Sequence, residues 1–590
     1  MERQRASDIL GMATHQGQAA SMRFLALASD YDGTLAHHGA VDEETVQALE
    51  QFAQSGRKII LVTGRELPDL ESVFGRLDLF ASIVAENGAL LYNPATREKQ
   101  TLGQRPPDRF VKLLNEKGVT NVSVGDVIVA TWHPYEQQVL DAIRELGLEL
   151  QVIFNKDAVM ILPSGINKMT GLNAALAELK ISRHNVVGVG DAENDHAFLN
   201  CCECAVAVQN AIPSLKEAAD LVTNGSSSAG VRELMAKILK NDLADLEPRL
   251  RRHHFLLGKA HDEPVSLSPY NSNVLLCGRS GGGKSTLVSG LLERIAHDGY
   301  QVCLVDPEGD YENFPGYITI GDEQHPPSLD QVTQVLEDPS EEVVVNLLGV
   351  PMQDRAAYFA SAIIAVQKLR MQTGRPHWLI IDEAHHALPE QWAVGSGELA
   401  GEFRNVLLVT VHPKHVTPKA LERINVVIIV GQDSRASLEE VCEVLQVETP
   451  NSATEELAPG EALVWFRDTN QLYSRVVLEP SRSEHNRHKR KYAEGTMEEE
   501  RVFYFRGPEN KLNLRAANLV TFIQLSVGID DETWLYHLRK GDYSAWFRNS
   551  VKDASLADEI EAVERDPGLS AERSRELIKQ AIEAKYTASA

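Results

Sequence analysis

Short apolar runs alternate with amphipathic stretches over two long parts of the chain. Residues 24–28, 58–62, 83–85 and 185–189 are apolar runs of strand length, and stretches such as 43–55 and 169–179, with helical spacing, lie between them. A second series follows at 273–277, 302–305, 343–347, 378–381, 406–409 and 426–430. This alternation predicts parallel sheets covered by helices, hence two α/β domains. Between them, over 242–268, Pro248, the basic cluster 249–254 and Pro264 interrupt any regular period, which places the boundary near Pro248. Beyond Pro480 the texture changes to a basic stretch and then a mostly helical region rich in charge. The predicted organisation is an N-terminal tail over 1–22, a first α/β domain over 23–248, a second over 249–480 and a mostly helical region over 481–590. No internal repeat or long low-complexity tract appears.

Composition narrows the class. The 590 residues are 43% hydrophobic, ample for globular cores, and intrinsic disorder is excluded for most of the chain. No run approaches the about 18 apolar residues of a spanning helix, and the first 22 residues lack an apolar signal-peptide core, so a cytoplasmic protein without membrane attachment is expected. Six cysteines, three of them in Cys201-Cys202-Glu203-Cys204, have no partners at zinc-ligand spacing and read as buried thiols. With 58 Lys and Arg against 84 Asp and Glu, the net charge of −26 argues against a surface that coats nucleic acid, though a local basic channel remains compatible with it.

The first α/β series places chemistry at its predicted strand ends. Run 24–28 leads into Asp30-Tyr31-Asp32-Gly33-Thr34, two carboxylates two residues apart, and run 58–62 into Thr63-Gly64-Arg65, a hydroxyl and backbone N–H groups suited to a phosphate. Lys168 follows the apolar run 158–162, and run 185–189 ends in Gly190-Asp191-Ala192-Glu193-Asn194-Asp195. Four consecutive strand ends thus deliver an acid pair, a hydroxyl, an ammonium and an acid pair. This order resembles the haloacid dehalogenase superfamily, and within it the Cof-type sugar phosphatases, over about 24–239. The resemblance implies a Rossmann-like domain with an inserted α+β cap at about 90–154 and an aspartyl-phosphate mechanism. In it Asp30 is the nucleophile and Asp32 the general acid and base. Mg²⁺ sits on Asp30, the Asp32 carbonyl and Asp191, with Asn194 and Asp195 near its shell, while Thr63 and Lys168 stabilise the phosphoryl charge. The cap region carries Trp132, His133, Glu136 and Gln137 but no dense basic patch, and these four are expected at the surface.

The second series holds a different phosphate chemistry. Run 273–277 leads into Gly278-Arg279-Ser280-Gly281-Gly282-Gly283-Lys284-Ser285-Thr286, the GxxxxGK[ST] loop whose backbone wraps phosphate, whose Lys284 meets the β/γ charge of ATP and whose Ser285 reaches Mg²⁺. Run 378–381 ends in Asp382-Glu383-Ala384-His385, giving Asp382 to the metal and Glu383 to the attacking water, which points to hydrolysis. The same string occurs in superfamily-2 helicases, but no arginine-rich helicase motif follows. With Asp306-Pro307-Glu308-Gly309-Asp310-Tyr311 and Thr410-Val411-His412-Pro413, the series resembles the HerA/FtsK group of ring ATPases over about 255–480. That resemblance implies a RecA-like domain and a homohexamer in which a neighbour's arginine completes each site, with Arg404 and Arg423 as candidates. The sequence departs from the group at Val411, where many relatives carry Gln as polar sensor; Thr410 or His412 is the substitute. Residues 256–267 are too short for the β-barrel that precedes the ATPase in HerA. Residues 482–491 hold five basic side chains and two histidines, either a nucleic-acid contact or a solvated helix face.

Together the motifs predict a Mg²⁺-dependent phosphohydrolase joined to a ring-forming ATPase. Its action is read as on nucleic acid or its phosphorylated ends. The alternatives are a sugar-phosphate or nucleotide phosphatase assembled or regulated by the ring, with a small phosphorylated substrate, and an ATP-driven remodeller of protein partners.

Overall fold

The computed structural model describes residues 22–155, 157–250, 252–279, 281–390, 404–449, 456–468, 473–481, 502–516, 518–551 and 553–586. Nearly all of the predicted tail, Ser280 and the basic segment 482–491 lie outside them.

An eight-stranded sheet forms the first domain, in the order Leu221–Val222, Cys204–Ala207, Val186–Gly190, Ala26–Ser29, Lys58–Val62, Ser82–Ala85, Leu90–Asn93, Glu98–Thr101. The first six strands are parallel and the last two antiparallel. Strand Ala26–Ser29 lies between its sequence-distant partners, Ser29 opposite both Leu61 and Val189. Chain order reverses there, so the crevice beyond its carboxyl end opens at Asp30. All four residues of this strand are buried, which the apolar run requires of a strand covered on both faces.

The cap begins and ends later than about 90–154. Leu90–Asn93 and Glu98–Thr101 extend the main sheet, and the cap is a separate four-stranded sheet, Ser123–Val124, Val129–Trp132, Ala158–Pro163 and Leu150–Asn155, with helices Asp108–Glu116 and Glu136–Leu146. Ala158–Pro163 is therefore an inner cap strand rather than a core strand, and Lys168 opens helix Lys168–Glu178 instead of following a core strand end. An apolar run of strand length reads alike in either sheet.

The second domain is an eleven-stranded sheet. Its parallel part runs Val426–Val430, Asn273–Cys277, Val406–Thr410, Trp378–Ile381, Val302–Asp306, Glu342–Asn346, Tyr317–Ile320. Glu461–Phe466, Ser474–Leu478, Phe255–Ala260 and Glu263–Leu267 extend it antiparallel. Residues 255–267 thus form a hairpin at the sheet's edge. The C-terminal region packs helices and one hairpin around Phe503, Phe505, Phe522, Trp534, Tyr543 and Trp546, with Trp534 and Tyr543 rings 4.5 Å apart. Among the described residues no helix is long and apolar enough to cross a membrane, and all six cysteines are free and buried.

A buried polar cluster joins the two sheets. Glu203 accepts from Arg23 Nη2 at 2.8 Å and Tyr300 Oη at 2.6 Å and pairs with His184 Nδ1 at 2.8 Å. His184 Nε2 also lies 2.7 Å from the Asp298 carbonyl, and its ring stacks on Tyr300 at 3.6 Å. Burial opposes the charge on Glu203, but the His184 hydrogen bond and the Arg23 charge outweigh it and hold the carboxyl well below the usual range. His377, beside this cluster, is kept neutral far below its ordinary value by burial and by the His184 and Arg375 charges.

Removing Arg23 leaves a buried carboxylate short of a partner, so Arg23→Ala is expected to cost about 3 kcal/mol in a denaturant-unfolding series. The two shifts act in one direction with pH. A depressed carboxyl contributes stability above its unfolded value that is lost as pH falls, and below about 6.5 the unfolded chain alone protonates His377. The unfolding midpoint of the wild type relative to a His377→Gln variant should therefore drop between pH 7 and pH 5, and the Glu203 contribution is lost only below about 4.5.

Candidate active sites

Four elements converge on the crevice at Asp30. Helix Lys168–Glu178 is started by Asn167, whose side chain accepts from Met169 N and Thr170 N while Thr170 Oγ1 accepts from Asn167 N at 3.0 Å. This reciprocal cap fixes the first turn and with it Lys168. Lys168 Nζ donates to Asp30 Oδ1 and to Asp195 Oδ1, both at 2.6 Å, with the side chain 1% exposed. Asp195 Oδ2 accepts from Asp191 N and Ala192 N at 2.9 Å, so this carboxylate ties its own loop to the ammonium. Asp191 Oδ1 accepts from Thr34 Oγ1 at 3.2 Å. Gly33, at φ +85°, lets the Asp191 carboxylate in, because a Cβ there would lie 2.4 Å from Asp191 Oδ2.

Carboxylate oxygens of Asp30, Asp191 and Asp195 lie within 4.8 Å of one another and all three residues are buried. Burial, then the Asp195 and Asp191 charges, push the Asp30 carboxyl up to about 8 against the opposing Lys168. One ammonium does not balance three buried carboxylates, and an all-oxygen donor set fits a hard divalent cation. The Asp32 carboxylate stands outside this group, paired through both oxygens with Arg65 at 2.6 and 2.8 Å. Thr63 is buried at the end of the neighbouring strand, its Oγ1 accepting from Arg65 N at 3.1 Å.

The second site sits at the carboxyl edge of the larger sheet. Gly278 lies at φ +150°, and a Cβ on it would come 2.2 Å from the Val430 carbonyl. Gly281 at φ +78° and Gly283 at φ +96° carry the turn into helix Lys284–His297, where Ser285 and Thr286 share the first turn and Gly282 faces Gly431. Lys284 Nζ reaches back to the Gly278 carbonyl at 2.9 Å. Asp382 ends strand Trp378–Ile381, and its Oδ1 accepts from Glu383 N at 2.9 Å. Thr410, on the strand between Asp382 and the P-loop strand, has its Oγ1 3.1 Å from His385 Nδ1 and accepts from His412 N at 3.0 Å. His385 also lies 3.5 Å from Glu383 Oε2, and burial, then His386 and His412, push its ring down to about 4. Burial likewise raises Asp306 to about 7, with Asp310 and Asp382 adding to it against the Tyr311 backbone N–H. Arg404 and Arg423 precede strands Val406–Thr410 and Val426–Val430, at the amino edge. A five-residue strand, about 16 Å, separates that edge from the P-loop, so neither arginine serves this chain's own site.

Known proteins match along the same division. The family described as haloacid dehalogenase-like hydrolase matches residues 27–145 and 127–235, and the helicase HerA central domain matches residues 261–463. Phosphoglycolate phosphatase 2 of Saccharolobus solfataricus is 30% identical over 223 residues, spanning 93% of that protein and 37% of this chain. The chain belongs to the haloacid dehalogenase-like hydrolases. A phosphoglycolate phosphatase of Methanothermobacter thermautotrophicus is 28% identical over 219 residues, 98% of that protein and 36% of this chain. The structure of a haloacid dehalogenase-like hydrolase from Bacteroides thetaiotaomicron aligns at 17% identity and TM-score 0.33, over 36% of this chain and 99% of that one. The chain thus joins a haloacid dehalogenase-like phosphatase domain to a HerA-type ATPase domain.

In the haloacid dehalogenase-like domain, one turn escaped the sequence reading. Glu86-Asn87-Gly88 follows strand Ser82–Ala85 at the same edge as Asp30 and Thr63, with φ of +53°, +54° and +104°. Glu86 is fully buried and accepts from the backbone N–H of Asp126, Val127 and Ile128 in the cap at 2.7 to 2.8 Å. Asn87 N donates to the Thr63 carbonyl at 2.9 Å, and Asn87 Oδ1 accepts from Asn194 Nδ2 at 2.9 Å. Gly88 packs so closely on the Asn167 carbonyl that a Cβ would lie 1.9 Å from it. Three residues therefore touch the cap and three loops of the candidate site. Their signal was two polar residues and a glycine directly after an apolar run, the pattern that marked the other strand ends.

Glu86→Ala strands three amide N–H groups at the core–cap contact. Hydrogen exchange at residues 126–128 should accelerate by about tenfold or more, with a lower phosphatase rate.

Proposed function

We propose that the first domain is a Mg²⁺-dependent phosphomonoesterase for a small substrate, acting through an aspartyl phosphate. The buried group of Asp30, Asp191 and Asp195 around Lys168 carries this reading. Asp30 and Asp191 would hold Mg²⁺, which when bound offsets the repulsion between a carboxylate nucleophile and a phosphate dianion. Asp30 forms the bond to phosphorus as the ester P–O bond breaks, and Asp32 gives its proton to the leaving oxygen. Water then attacks the aspartyl phosphate, passing a proton to Asp32. Lys168 orients the nucleophile, and Thr63 offers a hydroxyl to the transferring oxygens. A small substrate is favoured over a nucleic-acid end because Asp30 is 4% exposed beneath a cap whose Met160 Sδ lies 3.5 Å from a Cβ built on Gly64. The phosphoglycolate phosphatases among its relatives favour the same size class.

The second domain reads as an ATP-driven motor in a homohexameric ring, with Mg²⁺ on Ser285 and Asp382, Glu383 polarising water, and an arginine from a neighbouring copy, Arg404 or Arg423, completing the site. The match to the HerA central domain favours nucleic acid as the element it grips.

Phosphate release from 2-phosphoglycolate and p-nitrophenyl phosphate separates the two sites. Asp30→Asn should lower it about a thousandfold or more with ATP hydrolysis intact, and Lys284→Ala should do the reverse. Duplex DNA should stimulate ATP hydrolysis with a stimulation that falls steeply as salt rises, whereas a rate indifferent to DNA contradicts the motor reading.

A further inference from the structure

The P-loop is the turn between strand Asn273–Cys277 and helix Lys284–His297, and both of its flanks are fastened to one residue of the other domain. Tyr270, just before the strand, donates its hydroxyl to the His184 carbonyl at 2.9 Å. Asp298, directly after the helix, presents its carbonyl to His184 Nε2 at 2.7 Å and to Arg183 Nη2. Gly299, at φ +81°, turns the chain against Arg183, where a Cβ would lie 3.1 Å from Nη2. That turn brings the Tyr300 ring onto His184 at 3.6 Å and its hydroxyl to Glu203 at 2.6 Å. His184 itself is fully buried.

The same residue stands at the head of the strand that supplies the phosphatase site. Val186–Gly190 begins just after His184 and runs directly into Asp191, with Asp195 in the loop beyond. Glu203, paired with His184 Nδ1 at 2.8 Å, precedes the neighbouring strand, in which Cys204 lies opposite Val187. From the P-loop to Asp191 the route is a 14-residue helix of about 21 Å, one buried side chain and a five-residue strand of about 16 Å. A close-packed interior transmits a displacement along such elements instead of absorbing it.

The helix starts at a group that changes partner. Lys284, its first residue, holds Nζ 2.9 Å from the Gly278 carbonyl. Nucleotide binding gives that ammonium phosphate oxygens instead, and the backbone N–H groups of the same turn close on the phosphate. The near end of the helix therefore has two arrangements, while its far end is pinned to His184. An element whose arrangement one ligand sets, and on which a second site rests, is what coupling between two sites requires.

We propose that a nucleoside triphosphate at the P-loop regulates the phosphatase site through His184. The second domain is then a nucleotide sensor for the hydrolase as well as an ATPase. This rests on the phosphatase reading above for its readout and adds to it an effector and a route.

Full-length protein with Mg²⁺ is assayed on p-nitrophenyl phosphate with and without saturating AMP-PNP, a non-hydrolysable ATP analogue. The analogue should change kcat/KM about fivefold or more, and Lys284→Ala should abolish the response. Tyr270→Phe combined with Tyr300→Phe keeps both rings and removes both hydroxyl contacts at the junction. In this double variant the phosphatase rate without nucleotide should stay within about twofold of the wild type while the response to AMP-PNP is lost. Should the pair fail to fold, Tyr270→Phe alone, which leaves Glu203 all its partners, is read in the same way. A wild-type rate unchanged by the analogue overturns the proposal and leaves the phosphatase reading standing. A response undiminished in the tyrosine variants, as one arising from ring assembly alone would be, also overturns it. If the wild type does not cleave p-nitrophenyl phosphate with or without the analogue, the phosphatase reading itself fails and this inference with it.

Discussion

One buried ammonium organises the phosphatase half of this chain. Lys168 is almost wholly out of solvent, and its neighbours Asp30, Asp191 and Asp195 are carboxylates that no apolar core would tolerate together without it. Breaking such a buried pair costs about 3–5 kcal/mol, enough to fix the elements that bring the charges together. The central strand Ala26–Ser29 presents Asp30, the loop after Val186–Gly190 presents Asp191 and Asp195, and a capped helix start presents Lys168. The turn Glu86-Asn87-Gly88 then bonds the Thr63 loop and Asn194, packs on Asn167 and fastens the cap above them. The excess of negative charge in the buried group of Asp30, Asp191 and Asp195 is what a divalent cation would relieve.

The same strand ties the two halves of the molecule together. Val186–Gly190 begins beside His184, which meets the Asp298 carbonyl at the end of helix Lys284–His297, and that helix starts at the P-loop lysine. A 14-residue helix, about 21 Å, is therefore all that separates the P-loop from the domain junction. Glu203, held by Arg23, His184 and Tyr300, makes this junction polar with its buried carboxylate paired at both oxygens, the condition under which a buried charge specifies one arrangement.

Much of this architecture was legible in the sequence because the central strands of both sheets are parallel and buried, so each of these is an apolar run, several ending in their own chemistry. Asp30, Thr63, Asp191 and Asp382 were placed directly after strands in that way, and Lys284 in the loop after one. The cap boundary was not, since the run 158–162 has the same composition whether it lies in the core or in the cap. Lys168 was read as following a core strand, whereas it opens a helix: the capping residues Asn167 and Thr170 carried the helix signal. Glu86 was passed over because a buried acid that accepts backbone N–H groups from a distant turn has no partner visible in sequence. Arg65 was read only for its backbone, and its pairing with Asp32 and Asp69 is a property of three-dimensional placement.

Trapping the phosphoenzyme tests the central claim most directly. Full-length protein carrying Lys284→Ala, which removes ATP turnover, is quenched during hydrolysis of 2-phosphoglycolate or p-nitrophenyl phosphate, reduced with borohydride and mapped by peptide mass. Conversion of Asp30 alone to homoserine, dependent on substrate, is the predicted result. Turnover with Asp30 unmodified, or with the label on another residue, would contradict the account.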